Sequence, residues 1–189
     1  AFVTPFGEDE IDELKSLSQA ADTLFQRHYE ATQKLRIETT DTVHVWGQPK
    51  PEATNRPTST HEKDKKWATD IKHPYSPSSR LKLAMDYWCA LWFWPMEKAE
   101  LLPTRQQFLT EMGVLLGHIP GFAKTLEQGE LDAMLVEVSG QKISVQQDEL
   151  ELDETVVNVE QLCADSKRLS LVRHITEQRK FFHWELEFC

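Results

Sequence analysis

The stretch RLKLAMDYWCALWFWP, residues 80–95, decides the fold of this chain. Three of the six tryptophans of the protein lie in it, beside a tyrosine and a phenylalanine. Its apolar residues recur at three- and four-residue spacing, which is typical of one face of a helix. A second apolar face leaves little of this helix for water, and a helix that is apolar nearly all round is normally buried. The sequence therefore predicts a central, buried helix at 80–94.

Large side chains dominate this predicted helix, and each aromatic ring has a large apolar area to bury. We expect Ser78 or Ser79 to cap the helix and Pro95 to end it. Truncation of either central tryptophan to alanine is expected to cost about 3–5 kcal/mol, as for other large aromatic core residues. The side chains expected to be buried are Leu83, Met85, Trp88, Leu91 and Trp92.

Three further segments show helical periodicity, and together they predict a mainly α fold. A long helix is expected at 8–38, with acidic residues in its first turns and basic residues near its end, an order that suits the helix dipole. A helix at 105–116 is expected to start after the capping pair Thr104 and Gln107 and to stop at Gly117. A last helix is expected at 159–178. We interpret residues 1–189 as one helical domain.

Two segments carry the alternating pattern of β-strands rather than a helical pattern. Residues 133–146 alternate around a Ser-Gly pair, which predicts a small β-hairpin, although a helix through 131–138 also fits. Residues 181–188, FFHWELEF, alternate between apolar and polar positions and predict a C-terminal strand. Because the chain stops inside this pattern and lacks an initiator methionine, we interpret it as a fragment of a longer protein.

The overall charge of the chain limits its partners. With 31 acidic and 21 basic side chains, the formal net charge is −10, which argues against a general nucleic-acid-binding surface. No apolar run approaches the ~18–20 residues that a membrane span needs, so no membrane partner is expected. Three widely spaced cysteines predict neither a disulfide framework nor a zinc site, and a reducing, cytoplasmic location fits them best.

Residues 39–79 contain five prolines and predict a long loop, with a short helical piece near 63–71. Loops of this length within a compact domain are usually functional or mobile. Positive charge is concentrated in and just after this loop, and two interpretations stay open: a solvated connection, or contact with a DNA backbone. The candidate DNA-contacting residues are Lys63, Lys65, Lys66, Lys72, Arg80 and Lys82.

No recognisable catalytic set is present in the sequence. The glycines are too scattered for a phosphate loop, and no serine lies in a nucleophile elbow. His174 and Glu177 have a spacing that could share a metal, but no second pair accompanies them. His183 and Glu185 lie on the polar face of the predicted C-terminal strand, so an enzyme using these two residues is the alternative class of function. We predict no catalytic, cofactor-binding or metal-binding residue in this chain.

Four segments, taken in order, resemble one family of enzymes. They are AFVTPFGEDE, RLKLAMDYWCALWFWP, LLPTRQQFL and FFHWELEF. This order is similar to the middle of the large bacterial N6-adenine DNA methyltransferases of the type IIG restriction–modification class and their phage-defence relatives. The residues that carry the resemblance are Asp86, Trp88, Cys89, Ala90, Trp92, Phe93, Trp94 and Pro95, then Leu102, Pro103, Thr104 and Arg105, then Phe182, His183, Trp184, Leu186, Glu187 and Phe188.

The resemblance implies a function for a parent protein rather than for this chain alone. The family's S-adenosylmethionine motif would precede residue 1, and its Asn-Pro-Pro-Tyr motif would follow residue 189. We therefore expect a non-catalytic helical segment that braces a methyltransferase, with S-adenosylmethionine bound by the parent only. The expected partners are the rest of the parent and, through it, DNA. The isolated chain is expected to self-associate through uncovered apolar side chains, and an independent helical interaction module is the other alternative.

Overall fold

A computed structural model of the chain describes residues 5–39, 60–118 and 158–188. Helices make up 81% of the described residues, and no β-strand forms in these three ranges. The predicted mainly α fold is therefore confirmed. Two short 3₁₀ segments, Leu91–Phe93 and Met96–Leu101, lie between the third and fourth helices. The helices are α1 (Glu8–Thr39), α2 (Thr60–Asp70), α3 (Pro77–Ala90), α4 (Arg105–Leu116), α5 (Val159–Asp165), α6 (Lys167–Arg179) and α7 (Trp184–Glu187).

Helix α1 covers the predicted segment and extends it by one residue. Its first turn is acidic and its last turn contains Arg36, which suits the helix dipole. The buried stripe follows Leu17, Leu24, Thr32 and Leu35, so the helix lies along the core over most of its length.

Helix α3 starts and ends at residues other than those expected. Its cap is Ser76, whose Oγ accepts a hydrogen bond from the Ser79 backbone N–H, and Pro77 occupies the first helical position. Proline is favoured there because its missing N–H would have no partner in the first turn. The α-helix ends at Ala90, before the 3₁₀ segment, so Pro95 does not end it.

The caps of α4 are those that the sequence predicts. Thr104 and Gln107 form a reciprocal capping box, and Gly117 ends the helix with φ 74°, a left-handed conformation that glycine adopts without strain. The last predicted helix, 159–178, is instead two helices. Ser166 breaks it, because this residue is extended and its Oγ accepts from the Leu169 N–H as the cap of α6.

The core forms where α1, α4 and α6 pack around α3, so the central position of this helix is confirmed. Leu81, Leu83, Ala84, Tyr87 and Ala90 are the apolar residues that α3 buries. The other helices contribute residues such as Leu24, Leu115, Leu169 and Val172 to the same cluster.

The predicted burial of the two central tryptophans is wrong. Trp88 is 54% exposed and Trp92 is 80% exposed, while Met85 and Leu91 are only partly buried. The helix is rotated about its axis so that Arg80, Asp86 and Tyr87 face the interior, where each forms hydrogen bonds. With these polar side chains inside, the tryptophans lie at the margin of the core.

Two further expectations about the chain need correction, and one is untested. FFHWELEF is not a strand: residues 181–183 are irregular and Trp184–Glu187 forms the short helix α7. Within the predicted 39–79 loop, the helical piece is the three-turn helix α2, starting at Thr60 rather than near residue 63. The predicted hairpin at 133–146 lies outside the described residues.

The exposure of Trp92 predicts a clear contrast between two substitutions. Trp92→Ala should change the free energy of unfolding by no more than about 0.5 kcal/mol, the usual range for surface positions. Leu115→Ala should cost about 2–5 kcal/mol, because it leaves a cavity in the core. Urea denaturation of both variants measures the difference. A cost of several kcal/mol for Trp92→Ala would contradict the exposure of Trp92 described above.

Candidate functional site

Six large aromatic side chains, three on each of two chain segments, are exposed, and we call them the aromatic surface. Trp184 is 69% exposed, and its ring stacks on Phe188 with centroids 5.0 Å apart. Exposed apolar patches often mark interaction sites. The members are Trp88, Trp92, Phe93, Phe182, Trp184 and Phe188.

The two chain segments that carry the aromatic surface are joined by a buried hydrogen bond. His183 Nε2 lies 2.7 Å from Asp86 Oδ1, and both side chains are buried. Asp86 Oδ2 also accepts a hydrogen bond from the Lys82 ammonium at 2.8 Å. A ring contact between Phe93 and Phe181, with centroids 5.5 Å apart, reinforces the junction. The tryptophan-rich segment and the C-terminal segment are therefore joined at two points.

A second junction joins the start of the chain to helix α4. The guanidinium of Arg105 is 2.7 Å from the Glu10 carboxylate and also donates to the Pro5 carbonyl at 3.3 Å. It lies over the Phe6 ring, 4.3 Å from its centroid. The hydrogen bonds from the Gly7 N–H and from Arg105 lower the pKa of the Glu10 carboxyl. The four segments that carry the family resemblance thus make contact in two pairs: the first with the third, and the second with the fourth.

A buried polar network ties α3 to α4 and α6. Glu111 accepts hydrogen bonds from the Tyr87 hydroxyl and from Arg168, which also donates to the Leu101 carbonyl at 2.7 Å. Burial raises the pKa of Glu111, and burial together with the Glu111 charge raises the pKa of Tyr87 well above its usual value. Tyr87 is therefore a hydrogen-bond donor within the core and has no accessible ionised form.

The predicted DNA-contacting residues do not all contribute exposed charge. Arg80 is 2% exposed, and its Nε donates to the Leu115 carbonyl at 2.8 Å, so Arg80 is a core residue and not a surface cation. Lys66 forms an ion pair with Glu38, and Lys82 forms one with Asp86. Lys65 and Lys72 are exposed, and Lys63 is half-buried. Contact of the five lysines with DNA stays a prediction.

The structure separates the two residues of the alternative enzyme. His183 is buried against Asp86, whereas Glu185 is exposed on α7 and forms no part of the cavity that His183 lines. His174 and Glu177 do not converge on a common point either: the imidazole contacts Gln178 and the carboxylate pairs with Arg173. Within the described ranges, no group of three or more potential metal ligands is found.

Comparisons with protein-family models, with curated proteins and with solved structures found no match to this chain. The resemblance to N6-adenine DNA methyltransferases therefore stays a prediction. No helix in the described part of the chain is long and apolar enough to cross a membrane.

Sequence reasoning found the segments of this site but missed how they are joined. The signal for the junction was Asp86, the single acidic residue of α3, because a buried carboxylate requires a partner. His183 was the only residue among the resembling segments that could pair with it as a buried imidazole. Their separation of 97 residues along the chain hid the pair from local pattern analysis.

The buried junction predicts a strong effect of a substitution at Asp86. Asp86→Ala removes the acceptor for His183 and should cost about 1–3 kcal/mol, because a buried donor is left without a partner. Asp86→Asn retains an acceptor oxygen and should cost less than the alanine variant. Glu185→Ala, at an exposed position in the same region, is the control. Equal stability of the three variants in urea denaturation would show that the junction contributes nothing.

His28 predicts a dependence of stability on pH. Burial lowers the pKa of this imidazole below its ordinary value of 6.5. As the pH falls through about 6.5, the unfolded chain takes up a proton that the folded chain does not, so folding loses stability. The difference in unfolding free energy between the wild type and His28→Gln should shrink between about pH 7.5 and about pH 5.5. A constant or growing difference in denaturation experiments would contradict this prediction.

Proposed function

We propose that this chain is a non-catalytic helical segment that braces an N6-adenine DNA methyltransferase of a restriction–modification or phage-defence system. The observation that carries the proposal is the aromatic surface. Its six residues belong to the two segments that most resemble the family, and a buried hydrogen bond holds these segments together. An aromatic surface on a rigid support is what a segment that docks on the rest of a larger protein needs.

The internal arrangement of the chain supports a bracing role over a catalytic one. The three polar side chains that α3 buries are used in structural contacts: Asp86 with His183, Tyr87 with Glu111, and Arg80 with the Leu115 carbonyl. In the proposed parent, S-adenosylmethionine is bound and adenine is methylated by regions outside these 189 residues. The parent acts in the cytoplasm, where its DNA substrate is found.

DNA contact by this segment is the finer part of the proposal. Helix α2 carries Lys63, Lys65 and Lys66, and Lys72 follows its end. Arg80 is not part of this contact, because it is buried. Since acidic residues dominate the rest of the chain, DNA binding by the isolated segment is expected to be weak and strongly dependent on salt.

The proposal predicts different behaviour for this chain and for its parent. The isolated chain should bind no S-adenosylmethionine in calorimetry, whereas the full product of the gene should bind it and methylate adenine. The same gene should encode Asn-Pro-Pro-Tyr or a close variant after residue 189. Cofactor binding by the isolated chain, or a parent without methyltransferase activity, would refute the proposed function.

Docking is tested by mixing this chain with the separately expressed remainder of the parent. Trp184→Glu and Trp92→Glu should each weaken their association, since a buried interface tryptophan commonly contributes about 2 kcal/mol or more. Ile37→Glu is the matched control, because Ile37 is exposed on α1 and is not a member of the aromatic surface. If the chain instead only self-associates in sedimentation experiments, the independent interaction module is favoured.

A further inference from the structure

Three exposed rings of the C-terminal segment are in mutual contact, and we call Phe182, Trp184 and Phe188 the ring cluster. The ring centroids of Phe182 and Trp184 lie 5.1 Å apart, and those of Phe182 and Phe188 lie 6.2 Å apart. Trp184 also stacks on Phe188, with centroids 5.0 Å apart. Because Trp184 is 69% exposed in spite of both contacts, much of its ring stays accessible to a partner.

Helix α7 fixes the direction in which the ring cluster faces. Leu186 packs against the core, and its carbonyl lies 3.4 Å from the His28 imidazole on α1. Trp184 precedes Leu186 by two residues, which places it roughly 200° away around the helix. Phe188, four residues after Trp184, shares the outer side of this turn. The stacked pair therefore faces away from the core.

Carboxylates lie on both sides of the stacked pair. Within the same turn, Glu185 is roughly 100° from Trp184 in one direction and Glu187 roughly 60° in the other. Both glutamates are exposed, and neither forms an ion pair within the described residues. Glu187 lines a cavity together with Arg36 and Lys82, which offset its charge in part. Glu185 is therefore the carboxylate that a partner of the ring cluster has to match.

These groups decide between three kinds of partner. A purely apolar partner would bury the Glu185 carboxylate without compensation, which destabilises the complex. A nucleic acid would bring its phosphates close to both glutamates and be repelled. A guanidinium group fits both features, because it stacks flat on an aromatic ring and its N–H groups donate to a carboxylate. The ring cluster is therefore suited to an arginine side chain of another protein surface.

The chain already uses this combination of groups at another place. Arg105 lies over the exposed Phe6 ring, 4.3 Å from its centroid, and its guanidinium is 2.7 Å from the Glu10 carboxylate. One guanidinium thus contacts a ring and a carboxylate at once. Trp184 and Glu185 offer the same two groups, and in the described part of the chain no arginine or lysine lies over the rings of the cluster.

We propose that the ring cluster binds an arginine side chain of the protein on which this chain docks. The guanidinium lies on the Trp184 ring and pairs with the Glu185 carboxylate. This inference rests on the proposed docking role and adds the chemistry of the partner to it. The cluster then contributes a specific contact to the interface in addition to apolar area.

Nuclear magnetic resonance with arginine amide as the probe tests the ring cluster on the 189-residue chain alone. The indole N–H resonance that disappears in Trp184→Leu identifies Trp184. We expect this resonance to shift saturably, with half-saturation at about 10–100 mM for one exposed cation–π contact and one ion pair. Lysine amide at the same ionic strength should shift it less, because an ammonium group is not planar and does not stack on a ring.

Two controls separate this contact from a general effect of the added salt. Trp92 is the internal control: it is 80% exposed, more than Trp184, so a general effect would shift its resonance at least as much. Glu185→Gln should raise the half-saturation about threefold, as for the loss of an exposed ion pair. Glu8→Gln, at an exposed position on α1, should leave it unchanged. Equal shifts of the two indole resonances, an equal response to lysine amide, or no effect of Glu185→Gln would overturn the proposal.

Association with the separately expressed remainder of the parent distinguishes a failure of this inference from a failure of the docking role. We expect Glu185→Gln to weaken the association about threefold and Glu8→Gln to leave it unchanged. If Trp184→Glu weakens the association but Glu185→Gln does not, the docking role stands and the arginine contact is refuted. If Trp184→Glu has no effect either, the docking role itself fails, and this inference fails with it.

Discussion

Three buried polar side chains on α3 hold the rest of the structure in place. Arg80 bonds the Leu115 carbonyl near the end of α4, Tyr87 bonds Glu111 in the middle of α4, and Asp86 bonds His183 in the C-terminal segment. A buried polar group without a partner destabilises the fold. Each bond therefore disfavours the orientations of α3 that would break it. Three such bonds on one helix, two to α4 and one to the C-terminal segment, favour one rotation of α3 about its axis.

The exposure of the aromatic residues follows from this constraint. Once α3 turns Arg80, Asp86 and Tyr87 inward, Trp88 comes to lie at the edge of the core against Phe108, with ring centroids 5.8 Å apart. Trp92 follows after the α-helix has ended and points away from the core. The polar contacts that orient α3 thus also place Trp88 in the surface through which we propose that the chain docks.

Two buried threonines on α1 differ in their hydrogen bonds. Thr39 near the end of the helix bonds the carbonyl of Leu35 and contributes to the fold. Thr32, two turns earlier, is also buried, but its Oγ1 has no hydrogen-bond partner among the described residues.

Local patterns determined the helices, because hydrophobic periodicity, caps and stops act within a few residues of the chain. Examples are the long α1 helix, the capping box at Thr104 and the glycine stop at Gly117. The strand predicted from the alternation in FFHWELEF does not form, because tertiary contacts of His183 and Phe181 override the weak strand preference of so short a segment. Only the tertiary structure decided which face of α3 is buried, because an aromatic-rich helix can be buried on several faces. The choice depends on partners up to 97 residues away, such as His183 for Asp86, which no local pattern records.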